Sequence, residues 1–251
     1  MRYLVLSDIH GNYQALEAVL RHSRRKKYQR VLFLGDAVGY GASPNHVLDW
    51  IRSLGSRVSS VRGNHDRVCA GLDTADYFNR YARQAVFWTQ DHLNRKNMTF
   101  LRNMPVGPIR VEPGLLICHG SPLDEDAYLF SAGEAREVFE AVDERVVLFG
   151  HTHVPSFFVM RRVNGRRVLS GRILAGARTV LDLDPDQAYL INPGSVGQPR
   201  DRDPRAAYAI YDHEKHRLYQ YRVPYRVREA RHRIRQAGLP PVLGDRLLYG
   251  A

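Results

Sequence analysis

Five short apolar runs, each stopping at residues able to ligate a metal ion, constrain this 251-residue chain more than any other feature. Tyr3 to Ser7 stops at Asp8 with His10, and Arg30 to Leu34 stops at Gly35-Asp36. Arg57 to Val61 stops at Gly63-Asn64-His65, Leu115 to Cys118 at His119-Gly120, and Val146 to Phe149 at Gly150-His151-Thr152-His153. Such runs read as buried strands, and ligands of open α/β sheets bind in the crevice outside the carboxyl ends of the strands. Taken singly, each stop has a plainer reading, because an aspartate after a strand commonly caps a turn and an isolated histidine is commonly a hydrogen-bonded structural residue. Five in succession predict instead that Asp8, His10, Asp36, Asn64, His119, His151 and His153 converge on one polar centre.

The segments between the runs carry helix signatures. Asn12 to about His22 has Leu16, Val19 and Leu20 on one face, and Ser43-Pro44 opens a second helix that Gly55 closes. Residues from about 76 to 94 read as one amphipathic helix whose stripe is Phe78, Tyr81, Ala85, Val86, Trp88 and Leu93. Ser131 and Glu134 form a capping box ahead of another helix. Beyond residue 153 the pattern changes: Asn164-Gly165 marks a hairpin with a primed turn, and four further strands follow. Arg226 to Gln236 reads as a final helix, with a tail after Gly238. The fold class expected is α/β (α+β), a four-layer sandwich of two mixed sheets flanked by helices. Without a low-complexity linker or internal repeat, residues 1–251 read as one domain with a C-terminal helix and tail from about 225.

Bulk properties exclude other classes. With 44% hydrophobic and 25% charged residues the chain is neither disordered nor fibrous. Two cysteines, Cys69 and Cys118, are too few for a disulfide scaffold or a thiolate zinc site, and no apolar run approaches 18 residues. No membrane partner is expected, and the location expected is cytoplasmic. The formal charge of +11 favours anionic ligands. The basic residues gather at Arg21 to Arg30, Arg161 to Arg172 and Arg222 to Arg235. Nucleic acid is a possible partner without being indicated, since only Tyr219, Tyr221 and Tyr225 interleave with the charges. Nothing in the sequence sets the oligomeric state.

Carboxylates, an amide oxygen and imidazoles with no thiolate suit borderline divalent ions such as Mn, Fe, Ni, Co or Zn, with Mn the first choice. Seven ligands exceed the needs of one four-coordinate ion, whereas two ions sharing a bridging carboxylate would use them all. Ions ~3.5–4 Å apart activate a shared water and stabilise the attacking and leaving oxygens of an in-line displacement. That is chemistry for hydrolysing a phosphate ester.

Asp8-Ile9-His10, Gly35-Asp36, Gly63-Asn64-His65-Asp66, His119-Gly120 and Gly150-His151-Thr152-His153 resemble, in order, the five sequence blocks of the calcineurin-like metallophosphoesterases. Asn192-Pro-Gly-Ser195 is similar to a segment of their small bacterial and archaeal phosphodiesterase branch. The resemblance implies that Asp8, His10 and His153 hold one ion, Asn64, His119 and His151 the other, and Asp36 both. It implies a sandwich of two mixed sheets, a metal-bridging hydroxide as nucleophile, and His65 as the acid that protonates the leaving oxygen. The substrate implied is a phosphodiester or small nucleotide; the alternatives are a phosphomonoester, a dinucleoside polyphosphate, or an inactive scaffold.

In the protein-phosphatase branch an acidic residue three positions after the bridging aspartate orients the histidine. Here that position is Gly39, so either Asp66 or a backbone group orients His65, or the histidine is held less tightly. Asn12 and Arg62 are candidate substrate contacts, and Arg200, Arg202 and Arg205 follow the Asn192 segment closely enough to be considered. Residues 67–105 and 121–135 are expected to shape the pocket.

Overall fold

The computed structural model describes all 251 residues and contains twelve strands. These are β1 (Arg2–Leu6), β2 (Arg30–Phe33), β3 (Val58–Ser60), β4 (Ile109–Glu112), β5 (Leu115–Ile117), β6 (Val146–Leu148), β7 (Ser156–Val163), β8 (Arg166–Ile173), β9 (Arg178–Asp182), β10 (Ala188–Asn192), β11 (Ala206–Asp212) and β12 (Arg217–Val223). The helices are α1 (Tyr13–Ser23), α2 (Pro44–Ser53), α3 (Asn64–Cys69), α4 (Arg80–His92), α5 (Arg95–Arg102), α6 (Ala132–Ala141), α7 (Val227–Gln236) and α8 (Pro241–Asp245). The strands form two mixed six-stranded sheets, ordered β3-β2-β1-β11-β12-β9 and β4-β5-β6-β10-β7-β8.

Strand alternation builds the layers. Tyr3 and Val5 of β1 face the inter-sheet core with Leu115, Ile117, Leu148 and Ile191, whereas Leu4 and Leu6 face the other way onto Leu16, Val19, Val47 and Ile51 of α1 and α2. On the second sheet Leu116, Val147 and Leu190 turn outward to meet Ala135, Val138 and Phe139 of α6. Strands covered on both faces read as continuous apolar runs, as β1, β2, β5 and β6 do. The arrangement is the helix–sheet–sheet–helix sandwich expected.

Several local readings hold. Asn164 and Gly165 both have positive φ, +50° and +78°, as a type I′ hairpin between β7 and β8 requires. Ser131 accepts from the Glu134 amide while the Glu134 carboxylate accepts from the Ser131 amide at 2.7 Å. Two readings need correction. The helix expected over 76–94 starts at Arg80, because the Asn79 side chain caps the amides of Tyr81 and Ala82. Its buried face is Ala82, Ala85, Val86 and Thr89, with Tyr81 left exposed, so the small residues make the contact. The tail also folds: α8 and the 3₁₀ turn Arg246–Leu248 pack Leu243 and Leu247 against Tyr40, Ala82, Ala85 and Ile234.

What places the site is polarity of the parallel strands. β1, β2 and β3 run parallel in one sheet, and β5, β6 and β10 in the other. Hydrogen bonds then tie the loops at these strand ends together: the Asp8 amide donates to Gly35 O, the His10 amide to Asp36 O and the Gly150 amide to His119 O.

Candidate metal centre

Each of the seven expected ligands sits just beyond a strand end, and the structure brings all seven together. Nine non-glycine residues have left-handed backbone, and five of them are Asp8, His10, Asp36, His151 and His153, with φ between +50° and +63°. Asp and His tolerate this region better than most residues, yet it remains sparsely populated. Its concentration here marks backbone that the surrounding structure holds in place. The packing is also tight: a Cβ on Gly63 would lie 2.1 Å from Asp36 Oδ1, so only glycine lets the β3 loop approach that carboxylate.

Asp36 Oδ2 lies 3.4 Å from His10 Nε2 and 3.5 Å from His119 Nε2, between two groups of candidate ligands. On one side His153 Nε2 is 3.1 Å from His10 Nε2 and 3.4 Å from Asp8 Oδ1. On the other, His119 Nε2 is 3.1 Å from His151 Nδ1 and 3.3 Å from Asn64 Oδ1. Asp8, His10, Asp36 and His153 thus form one buried group with ligating atoms within 4.8 Å, and Asp36, His119 and His151 another.

The far nitrogen of every imidazole faces a backbone carbonyl. His10 Nδ1 donates to Val38 O at 3.0 Å, His119 Nδ1 to Leu34 O at 2.8 Å, and His153 Nδ1 to Gln198 O at 2.6 Å; His151 Nε2 donates to Asp126 O at 3.1 Å. Such bonds fix the tautomer, leaving the lone pair of the opposite nitrogen aimed into the cage. Burial pushes His10, His151 and His153 below the usual imidazole range, with His151 near 3. His119 goes the other way: burial lowers it, but the Asp36 carboxylate prevails and raises it to about 10. Burial, reinforced by Asp36, lifts Asp8 to about 7. Asp8 Oδ2 and Asp36 Oδ2 are buried without a hydrogen-bond partner. Two orphaned carboxylate oxygens among imidazole lone pairs fit divalent cations, whose uptake would displace the protons held here.

The end of β10 and the turn after it brace this cage. Asn192 Nδ2 donates to Gly150 O at 2.6 Å and to Thr152 Oγ1 at 3.0 Å, while Ser195 Oγ donates to Asp8 O at 2.8 Å. These side chains hold loops from both sheets, which explains the Asn192 to Ser195 motif without giving it contact with substrate.

His65 lies beside the cage, its amide donating to Asp36 Oδ1 at 3.0 Å. Neither expected orienting group reaches its ring. The Asp66 carboxylate accepts instead from the Gly63 and Val38 amides, at 3.1 and 3.2 Å, and His65 Nδ1 has no hydrogen-bond partner. Rings hold it: Tyr40 at 4.4 Å, Phe78 at 4.5 Å and His10 at 4.8 Å between centroids. Gly39 is part of the same fit, because a Cβ there would stand 2.5 Å from His65 Nδ1. The imidazole occupies the space that a side chain at position 39 would need.

The two expected substrate contacts have other work. Asn12 caps α1 through Oδ1 and donates from Nδ2 to Gly197 O at 2.8 Å, so its polar atoms are committed to the fold. Arg62 pairs with Glu125 at 3.2 Å and does not line the cavity over the cage. That cavity, about 190 Å³, is walled by Asp36, Asn64, His65, His151, Tyr40, Phe78, Tyr128, Arg200 and Arg246 among others. A neighbouring hollow of about 470 Å³ shares Asn64, Tyr77, Phe78, Tyr128 and His151 with it. Tyr128 stacks on His151 at 4.0 Å, and Tyr77 is 92% exposed at the rim. Of the three arginines after the Asn192 segment only Arg200 lines the cavity; Arg205 pairs with Asp203. Tyr40 and Arg246 escaped the sequence reading, since neither follows a strand or belongs to a motif. The basic cluster near the C-terminus is largely neutralised by Glu17, Glu229 and Asp245, and Tyr221 is buried against Tyr208.

Comparisons with known proteins agree with this geometry. A sequence model of the calcineurin-like phosphoesterase superfamily domain matches residues 1–216. The uncharacterized protein MJ0912 of Methanocaldococcus jannaschii is 36% identical over 98% of this chain and 97% of its own length. The symmetrical bis(5'-nucleosyl)-tetraphosphatase of Sodalis glossinidius is 32% identical over 47% of this chain and 43% of that protein. The crystal structure of a metallophosphoesterase from Sphaerobacter thermophilus superposes with a TM-score of 0.85 at 37% identity, over 100% of this chain and 99% of that one. No helix here is long and apolar enough to cross a membrane. With five strand-end blocks gathered round one buried aspartate and a domain match across most of its length, the chain belongs to the calcineurin-like phosphoesterase superfamily and is a metal-dependent hydrolase.

Proposed function

We propose that the enzyme hydrolyses phosphodiesters or small nucleotide esters at a two-ion centre. Asp8, His10 and His153 would hold one ion, Asn64, His119 and His151 the other, and Asp36 would serve both. The observation that carries this reading is Asp36 Oδ2, buried without a partner between His10 and His119. Bound divalent ions, with manganese the first choice, would supply Lewis acidity and lower the pKa of water towards neutrality.

This chain's residues do the rest. The backbone carbonyls behind the four imidazoles fix the ring orientations and aim the opposite nitrogens inward. His65, wedged between Tyr40 and Phe78, stands at the cavity wall where a leaving oxygen departs. Burial lowers it to about 4, so the ring is neutral until the charge of a bound phosphate ester raises its proton affinity, and the proton gained then is the one it passes on. Such assistance contributes ~10²–10⁴-fold. The rim aromatics Tyr77 and Tyr128 offer faces on which a base stacks.

A specific observation favours dinucleoside polyphosphates as the second reading: the Sodalis tetraphosphatase aligns with 47% of this chain at 32% identity, although the match covers 43% of that enzyme. A cytoplasmic location is part of the proposal, in keeping with two buried free thiols. Hydrolysis of bis-p-nitrophenyl phosphate, p-nitrophenyl phosphate and a dinucleoside tetraphosphate, with and without manganese, tests the reading. Metal-dependent turnover with the diester or nucleotide ahead of the monoester supports it; no turnover of any ester with any divalent ion refutes it.

A further inference from the structure

Two arginines in the cavity wall have no acidic partner. Arg200 Nη2 donates to Tyr40 Oη at 3.3 Å, and the Arg246 guanidinium carbon lies 4.4 Å from the centre of the same ring. Arg246 Nε and Nη2 are buried and make no hydrogen bond, and both side chains line the cavity with His65. Other arginines nearby are matched: Arg231 and Arg235 with Asp245, Arg205 with Asp203, Arg222 with Asp201. A guanidinium withdrawn from water without a counter-charge is costly, and buried polar atoms left unpaired in a native fold call for an explanation. Here the fold holds Arg246 in place through its neighbours, since Leu243 and Leu247 are buried beneath it against Tyr40 and Ala82. The segment that carries it, residues 217–251, lies outside the part of the chain matched by the superfamily domain.

We propose that Arg200 and Arg246 form a clamp for a second phosphoryl group, joined to the scissile one through an anhydride oxygen. This rests on the phosphoesterase reading for the position of the scissile group, which would sit in the cavity against the ions held by the Asp36 cage. The clamp stands one ring further out: Tyr40 packs 4.6 Å from His10 on the cage side and carries Arg246 at its face. Two forked guanidiniums match a phosphate bidentately, and their joint charge matches a phosphoryl dianion. The substrate class that fits is a nucleotide with a polyphosphate chain, and the C-terminal segment is the part of the molecule that selects it.

Two measurements on the full-length protein test the clamp. In the first, chelator-treated wild type, Arg246→Gln and Arg246→Lys are titrated with inorganic pyrophosphate by calorimetry, with the exposed Arg228→Gln as a control for lost charge. Thermal melting checks that each variant is folded. Arg246→Gln weakens pyrophosphate binding at least tenfold (about 1.4 kcal/mol) relative to both wild type and Arg228→Gln, and Arg246→Lys recovers part of the loss. In the second, the ratio of kcat/KM for a dinucleoside tetraphosphate to kcat/KM for bis-p-nitrophenyl phosphate falls at least tenfold in Arg246→Gln. Pyrophosphate affinity within twofold of wild type, or an unchanged ratio, overturns the clamp. A wild type that binds pyrophosphate through Arg246 but cleaves no ester refutes the phosphoesterase reading and leaves the clamp standing.

Discussion

Replacing Gly39 by alanine tests how His65 is held. Gly39 has φ +126°, a conformation L side chains rarely adopt, and its new Cβ would stand 2.5 Å from His65 Nδ1 where ordinary contact begins at 3.4 Å. The imidazole has little room to retreat, with Tyr40, Phe78 and His10 packed around it at centroid distances of 4.4–4.8 Å. The ring therefore moves by most of an ångström or the loop deforms. A displacement of ~1 Å in a reacting group costs about 10²-fold in rate. Backbone strain of about 1–3 kcal/mol adds a fall in Tm of roughly 2–12 °C for a chain of this size. Val38 O still anchors His10 Nδ1, so the metal content is expected to stay at the wild-type value. The assay is kcat on bis-p-nitrophenyl phosphate with manganese, together with metal analysis and a thermal melt. A Gly39→Ala enzyme with wild-type kcat and unshifted Tm would refute the reasoning.

His65→Ala is expected to retain bound metal and lose about 10²–10⁴-fold in kcat; full rate at saturating substrate would remove its assigned role. Burial raises Glu125, but hydrogen bonds from Arg62 and Arg67 prevail and hold it below the usual range. A carboxylate depressed in the folded state stabilises above its unfolded value, about 4.3, and loses that contribution as pH falls through the folded value. Glu125→Gln is therefore expected to lower stability by about 1.5–3 kcal/mol at neutral pH, with the gap to wild type closing below about pH 4 in denaturant titrations; a gap constant with pH would count against the ion-pair account. Tyr128→Ala removes the ring stacked on His151 and is expected to raise KM for a nucleotide substrate by the worth of one base stack, about 1–3 kcal/mol, while a KM equal to wild type would deny it that role. Cys118, buried with its thiol facing Gly120 O, is expected to tolerate alanine with unchanged metal stoichiometry, which elemental analysis reads directly.

Much of the cage was legible because its chemistry is local to strand ends. A strand buried on both faces leaves an unbroken apolar run, and the polar residue that ends it stands out: Asp8 after β1, His119 just beyond β5, His151 beyond β6. What surrounds the cage was not legible, since contact there is set by packing between distant segments. Tyr40 and Arg246 meet across 206 positions (246 minus 40) because α8 and its following turn dock on α4, and no motif encodes that docking. Asn12 looked available for phosphate because it follows a metal block, but it is the helix N-cap that sequence logic would also assign to it. Arg62 looked similarly placed until its partner Glu125, on a loop of the other sheet, took it away. Gly39 was read as a missing carboxylate, whereas the structure shows it as the space that the His65 ring fills.

Elemental analysis of the manganese-loaded, desalted protein, wild type beside Asp36→Asn, puts the central assignment to the most direct test. Two ions per chain in the wild type and fewer than one in Asp36→Asn are expected, because Asp36 Oδ2 faces both His10 and His119. A wild type that retains no divalent metal, or an Asp36→Asn protein that keeps both ions, would contradict it.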